Sequence, residues 1–570
     1  MSLLEKTALP YQAPYFSEIK SEDFAPALLE AMALQQQAIT AIVQQTAPPN
    51  FDNTVLALEK SGEALLRVAN LFFALAGADT NEVLQQTEKE ILPLLAANED
   101  SIYLNDKLFE RIEVLYQQRA SLSLDSESLK LLEHYYDLFS LRGANLSPEK
   151  KEALKEINNR LASLENDFNY NTLQARHQAA LSIEKEEDLV GLSPEEQKIL
   201  LQEDGSWKIV LTNTTQQPLL SQLEKEETRD RLFQQSWNRA SQGAFSTENI
   251  VLEIIALRQK KATLLGYDNY AQWSLQKSVA KTPQTVMNFF ERLLKPTFEK
   301  VAKEVACLKD FSGQDQIAPH NWDYYAEKVR KAQYDLDENQ LKPYFELFNV
   351  LEKGVFHAAT ELYGITFKRR MDLPVYHPDV VVYELFEADG SPLGLYYGDF
   401  YTRESKRGGA WMSELVTPSK LFGQKPVIYN VCNYTPPTEQ LPCLLSFSEV
   451  ETLFHEFGHA LHAFFAEQQY ATLAGTAVAR DFVEFPSQFN EYWALHPEVL
   501  PHYARHYLSQ EVITPSLIEK LKASRDFNRG YAFCEVLASA YLDMQWHTLP
   551  AERHITAVAP FEATATERFP

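Results

Sequence analysis

A chain of 570 residues with 53 basic against 79 acidic side chains carries a net charge of −26. A surface that acidic repels phosphate backbones and excludes nucleic-acid binding as a main activity. With 45% hydrophobic and 23% charged residues the composition is that of a globular protein of several structural units, and only 19 glycines argue against a glycine-rich nucleotide-binding or all-β architecture.

The first two hundred or so residues read as helical. Ser147-Pro148 is a start signal, an N-cap followed by proline at the first helical position. From there Leu154, Ile157, Leu161, Leu164 and Phe168 recur at spacings of three and four, which predicts one apolar stripe along a long helix. Ser193-Pro194 and Thr282-Pro283 repeat the signal, the second opening an amphipathic stretch over 286–311. Helical patterns dominate to about residue 370, with no internal repeat and no low-complexity linker.

The texture then changes. Residues 380–386 and 393–397 are β-branched and aromatic, and Ala388-Asp389-Gly390-Ser391-Pro392 supplies turn chemistry between them, so a β-hairpin is expected. Residues 426–432 read as a third strand. Such a small sheet is either scaffold or an edge on which an extended peptide pairs.

Directly after these strands comes His455-Glu456-Phe457-Gly458-His459. Ser448 and Glu451 have the form of a capping box opening the helix that carries it. Histidines at i and i+4 lie on one helix face and can share a metal ion; neutral imidazoles suit Zn²⁺. Glu456 projects beside that face, placed to take a proton from a water on the metal. Val450, Leu453, Phe457, Leu461 and Phe464 form the flank expected to be buried, and His462, at i+7, is read as a supporting or packing residue. A third ligand must come from elsewhere. Asp481, Glu484 and Glu491 are candidates. Glu484 is either that ligand or the capping-box partner of Asp481, and spacing alone leaves both open. Glu491, two turns on, could orient a ligating histidine.

The four cysteines, Cys307, Cys432, Cys443 and Cys534, follow no paired spacing, so neither a zinc ribbon nor a disulfide framework is expected. The N-terminus shows no basic segment followed by an apolar run, and no uncharged apolar stretch reaches the roughly 18 residues of a membrane helix. A cytoplasmic protein without a membrane role is expected.

In these segments the chain resembles the thimet oligopeptidase family of zinc peptidases, and within it the bacterial peptidyl-dipeptidases. The likeness rests on His455-Glu456-Phe457-Gly458-His459-Ala460-Leu461-His462 and on Asp481-Phe482-Val483-Glu484-Phe485-Pro486-Ser487-Gln488, with supporting segments at 327–345, 374–379, 397–400, 408–412, 426–434 and 470–476. The resemblance implies a mostly α, two-lobed molecule with a deep central channel and a small β-sheet beside the zinc helix. It implies one Zn²⁺ per chain on His455, His459 and Glu484, with Glu456 as the catalytic residue. Residues 1–220 would be an N-terminal helical region and 221–570 the zinc peptidase region, truncated at its C-terminal end by the family's pattern. The expected activity is hydrolysis of short peptides by a monomer, releasing C-terminal dipeptides. An endo-acting oligopeptidase, or a zinc- and peptide-binding chain with weak catalysis, are the alternatives. A dipeptide-releasing enzyme must hold the substrate's terminal carboxylate, for which Lys406, Arg407 and Arg480 are candidates.

Overall fold

The structure, a computed structural model, describes residues 3–211, 216–334 and 338–570. Helices dominate it, with one small sheet and one short two-stranded ribbon. The chain divides into two compact units: Met1–Ser147 with Glu338–Thr514, and Pro148–Asp337 with Pro515–Pro570. Each unit joins segments distant in the chain through their contacts.

The first unit contains the sheet. Its strands are β1 (Thr366–Arg370), β2 (Val381–Phe386), β3 (Pro392–Tyr401), β4 (Trp411–Val416) and β5 (Val427–Tyr434), in the order β1-β2-β3-β5-β4. β2 and β3 form the expected antiparallel hairpin, β5 runs parallel to β3, and β4 pairs antiparallel with β5. The two central strands, β3 and β5, are covered on both faces. On one face Leu395, Tyr397, Val427, Tyr429 and Val431 pack with Phe24, Leu28, Val68, Leu71 and Phe72 from the helices Phe24–Val43 and Glu63–Ala78. That shared core is why the first 147 residues belong with a sheet far along the chain.

The other face takes helix α1 (Phe447–Phe464). Tyr396 meets Phe457 edge-on at 5.3 Å. Gly394 makes room for Phe464, since a Cβ there would lie 2.8 Å from its ring. Val450, Leu453, Phe457, Leu461 and Phe464 are all buried, as the stripe predicts, and each such side chain contributes roughly 2 kcal/mol of apolar burial. The cap lies two residues earlier than expected. Two overlapping Ser-x-x-Glu patterns compete here, and the helix opens on the first. The Ser446 hydroxyl accepts the N–H of Glu449 at 3.2 Å, and Glu449 Oε2 accepts the N–H of Ser446 at 2.7 Å. Burial decides between them: Leu445 and Val450, which flank the Ser446 cap, are fully enclosed, whereas Ser448 is exposed.

Helix α2 (Glu484–Glu491) follows. Val483 precedes it without a side-chain cap, so Asp481 and Glu484 form no capping box. The loop between α1 and α2 is tied to the N-terminal helices. Glu127 accepts the N–H of Tyr470 at 3.1 Å, while Glu59 accepts the N–H and hydroxyl of Thr472 at 3.1 and 2.7 Å.

In the second unit the helix Pro148–Gln178 buries Leu154, Ile157, Leu161 and Leu164 of the stripe read from sequence, while Phe168, its fifth member, is only half-buried. The helix Pro283–Ser312 is capped by Thr282, whose hydroxyl accepts the N–H of Thr285, and ends on Gly313 at φ +69°. Ser193 and Glu196 form the capping box of Pro194–Leu200. Of the segment 327–345, residues 335–337 lie outside the described residues. Among the described residues no helix is long and apolar enough to cross a membrane, and all four cysteines are free thiols.

Candidate metal centre

Helices α1 and α2 bring His455, His459 and Glu484 together, their ligand atoms all within 4.8 Å of one another. Glu484 Oε2 lies 3.2 Å from His455 Nε2 and 3.1 Å from His459 Nε2. The two imidazoles stand nearly perpendicular, 5.0 Å apart. Close packing of the helices sets this register. A Cβ on Gly458 would lie 2.7 Å from Ser487 Cα and 2.8 Å from Asn490 Cβ, so only glycine lets α2 approach. Asn490 Nδ2 then donates to Phe454 O at 2.6 Å, and from the sheet side Asn430 Nδ2 donates to Glu456 O at 3.0 Å. Side-chain amides thus grip α1 from two directions.

Glu491 Oε1 lies 2.7 Å from His455 Nδ1, the orienting contact its spacing suggested. With Glu491 accepting from Nδ1–H, Nε2 is the nitrogen on the Glu484 side. Burial lowers the pKa of His455, but the Glu491 hydrogen bond and the neighbouring carboxylates outweigh it and the net shift is upward. At His459 burial wins over the attraction of Glu484, and the shift is downward. Glu484 is itself held below the ordinary carboxylate range: burial pushes it up, and the Ser487 hydroxyl and the two imidazoles more than reverse this. Ser487, fully buried, donates from Oγ to Glu484 Oε2 at 2.9 Å.

Glu456 differs from all of these. It is 6% exposed, and its Oε2 has no hydrogen-bond partner among the described residues. Burial raises its carboxyl to about 7, opposed by His455 and assisted by Glu484. The donor set fits a zinc ion: two imidazole nitrogens and a carboxylate oxygen, with Glu484 Oε2 at 3.2 and 3.1 Å from the two nitrogens, close to the roughly 3.3 Å that a tetrahedral ion with ligands at about 2.0 Å imposes. Three carboxylates crowd two imidazoles here, a surplus of negative charge that a dication neutralises. His462, half-buried, packs beside the site, and its Nδ1 has no hydrogen-bond partner among the described residues.

Residues 219–568 match the description Peptidase family M3. The chain belongs to that family. Over 99% of its length it is 46% identical to a dipeptidyl carboxypeptidase of Salmonella typhimurium, covering 84% of that protein. The Escherichia coli dipeptidyl carboxypeptidase is 44% identical over the same shares. Oligopeptidase A of Salmonella typhimurium is 31% identical, with 94% of this chain and 82% of that one covered. The solved structure of PZ peptidase A shares the fold, with a TM-score of 0.53 at 14% identity over 97% of this chain and 81% of that one. Membership makes this protein a metallopeptidase.

Lys406, Arg407 and Arg480 are the candidates for holding a substrate carboxylate. Lys406 is unavailable: its ammonium is fully enclosed, 2.8 Å from Asp399 Oδ1 and donating to the carbonyls of Asp399, Tyr401 and Cys432. A buried cation needs such a partner, and the sequence does not show that Asp399 supplies it. Arg407 and Arg480 are exposed, Arg407 lying 4.7 Å over the Trp411 ring. Sequence reading missed Ser487, Asn490 and Asn430. Only Ser487 had a legible signal, since its i+3 spacing from Glu484 puts both on one helix face.

Proposed function

We propose that this protein is a zinc peptidyl-dipeptidase, with one Zn²⁺ held by His455, His459 and Glu484 and with Glu456 as the proton carrier. The observation that carries the reading is the pairing of a complete donor set with a buried carboxylate oxygen left unpartnered beside it. When bound, the ion supplies Lewis acidity, acidifying a water and polarising the scissile carbonyl. Glu456 Oε2, without a hydrogen-bond partner among the described residues, accepts the water's proton and passes it to the departing amine. Glu491 keeps His455 in the tautomer that turns Nε2 inward. Arg407 and Arg480, as exposed cations, are available to the terminal carboxylate of a short peptide. One chain carries the whole donor set, so no second copy is needed to complete the site, and a monomer in the cytoplasm is part of the same proposal.

Release of dipeptides is supported by identity of 46% and 44% to two dipeptidyl carboxypeptidases. The 31% identity to oligopeptidase A favours endo cleavage as the second reading. Mass spectrometry of a short peptide, with its C-terminus free or amidated and with or without a chelator, separates the two. Chelator-sensitive release of dipeptides from the free form alone is expected. Equal cleavage of the amidated form would replace the proposal with an endopeptidase.

A further inference from the structure

We infer that Ser487 is a positioning residue of the metal centre, its hydroxyl holding the Glu484 carboxylate between the two imidazoles. The inference rests on the ligand assignment proposed above. Glu484 stands at the first position of α2, after a Val483 that provides no side-chain cap, and its side chain is 53% exposed. A long acidic side chain in that place has many rotamers in reach, most of them pointing into solvent. Besides the two imidazoles it faces, what restrains it lies three residues further along the same face.

Ser487 is fully buried, and its Oγ lies 2.9 Å from Glu484 Oε2 and 3.0 Å from Glu484 O. A hydroxyl has one proton to give, and a charged carboxylate oxygen is the stronger acceptor. The oxygen it selects is the one that faces both histidines, at 3.2 and 3.1 Å. Ser487 can serve as the fixed end of this contact because its own backbone is held tightly. The missing side chain of Gly458 admits Ser487 Cα to the groove of α1, and Asn490, one turn on, ties α2 to Phe454 O at 2.6 Å. Ser487 thus transmits the rigidity of the helix contact to a ligand at the uncapped end of α2. The Ser487 hydroxyl is spent on Glu484, so its role is to hold the ligand and not to meet the peptide.

Zinc affinity of the full chain, measured by competition with a chromogenic chelator, tests this in the wild type, Ser487→Ala and His459→Ala. Ser487→Ala should weaken zinc binding roughly 10- to 100-fold, the usual effect of removing a group that orients a ligand. Its metal-free form should melt within about 4 °C of the wild type, and KM at saturating zinc should not change. Zinc affinity within about threefold of wild type would overturn the inference, since an orienting contact is worth more than that. So would a loss of affinity that comes only with a larger fall in the metal-free melting point, which would mark Ser487 as a packing residue. His459→Ala keeps the two levels apart: if it binds zinc as well as wild type, the ligand assignment fails, whereas its loss of zinc beside an unaffected Ser487→Ala overturns the role of Ser487 alone.

Discussion

Two glutamates, each 6% exposed, lie within two long capped helices: Glu456 in α1 of the first unit and Glu304 in Pro283–Ser312 of the second. Both helices open on a hydroxyl N-cap, and both are amphipathic. Their acids are served differently. Glu304 accepts the N–H groups of Gly530 and Tyr531 at 2.9 and 2.8 Å, the unpaired start of Arg529–His547, with Lys300 at 3.7 Å. Glu456 Oε2 has no partner among the described residues and stands beside the imidazole of His455 and the carboxylate of Glu484. A buried acid that saturates a helix terminus is mortar. One left hungry in a cluster of donors is available for chemistry.

The largest effect expected from this contrast is that of Glu456→Gln, which keeps size and burial but cannot take a proton. Turnover should fall about a thousandfold, roughly 4 kcal/mol of barrier, with zinc content unchanged by atomic absorption. Retained activity would reduce Glu456 to the class of Glu304. Glu304→Ala should behave in the opposite way, costing roughly 3 kcal/mol of stability in urea unfolding by leaving buried N–H groups unpaired, with zinc affinity intact. Gly458→Ala tests the helix contact between the two extremes. Its Cβ would meet Ser487 backbone at 2.7 Å, so a loss of about 2 kcal/mol together with weaker zinc binding is expected, measured by melting and chelator competition.

Glu414 on β4 gives the smallest and subtlest test. Burial raises its carboxyl to about 7, opposed by a hydrogen bond with Thr417, so a raised carboxyl alone does not mark a site. A carboxyl raised in the folded state stabilises the fold while protonated. That contribution is full below the unfolded value near 4.5 and is lost as pH climbs through about 7. Wild type should therefore lose on the order of 2 kcal/mol relative to Glu414→Gln between about pH 5 and 8, read from urea midpoints. A gap that stays constant with pH would contradict this.

Much of the first unit's centre was readable from sequence. His455, Glu456 and His459 stand on a helix whose buried flank has the period of one, and the turn at 388–392 announced the β2–β3 hairpin. What hid elsewhere had physical causes. β1 reads Thr-Phe-Lys-Arg-Arg, the charged dress of an exposed edge strand, and carries no alternation to recognise. Overlapping Ser-x-x-Glu patterns at 446 and 448 differ only in the burial of their neighbours. Lys406 looked like a free cation because its partner Asp399 is brought to it by the fold. Asn430 and Asn490 are invisible for the same reason: an asparagine that grips a helix carbonyl resembles one in any loop until the helices are packed.

The measurement that bears most directly on the central claim is diffraction from crystals of the zinc-loaded chain above and below the zinc absorption edge. One anomalous peak within about 2.3 Å of His455 Nε2, His459 Nε2 and a Glu484 carboxylate oxygen is the result expected. A peak that lacks any of the three, or zinc located elsewhere in the molecule, would contradict the account.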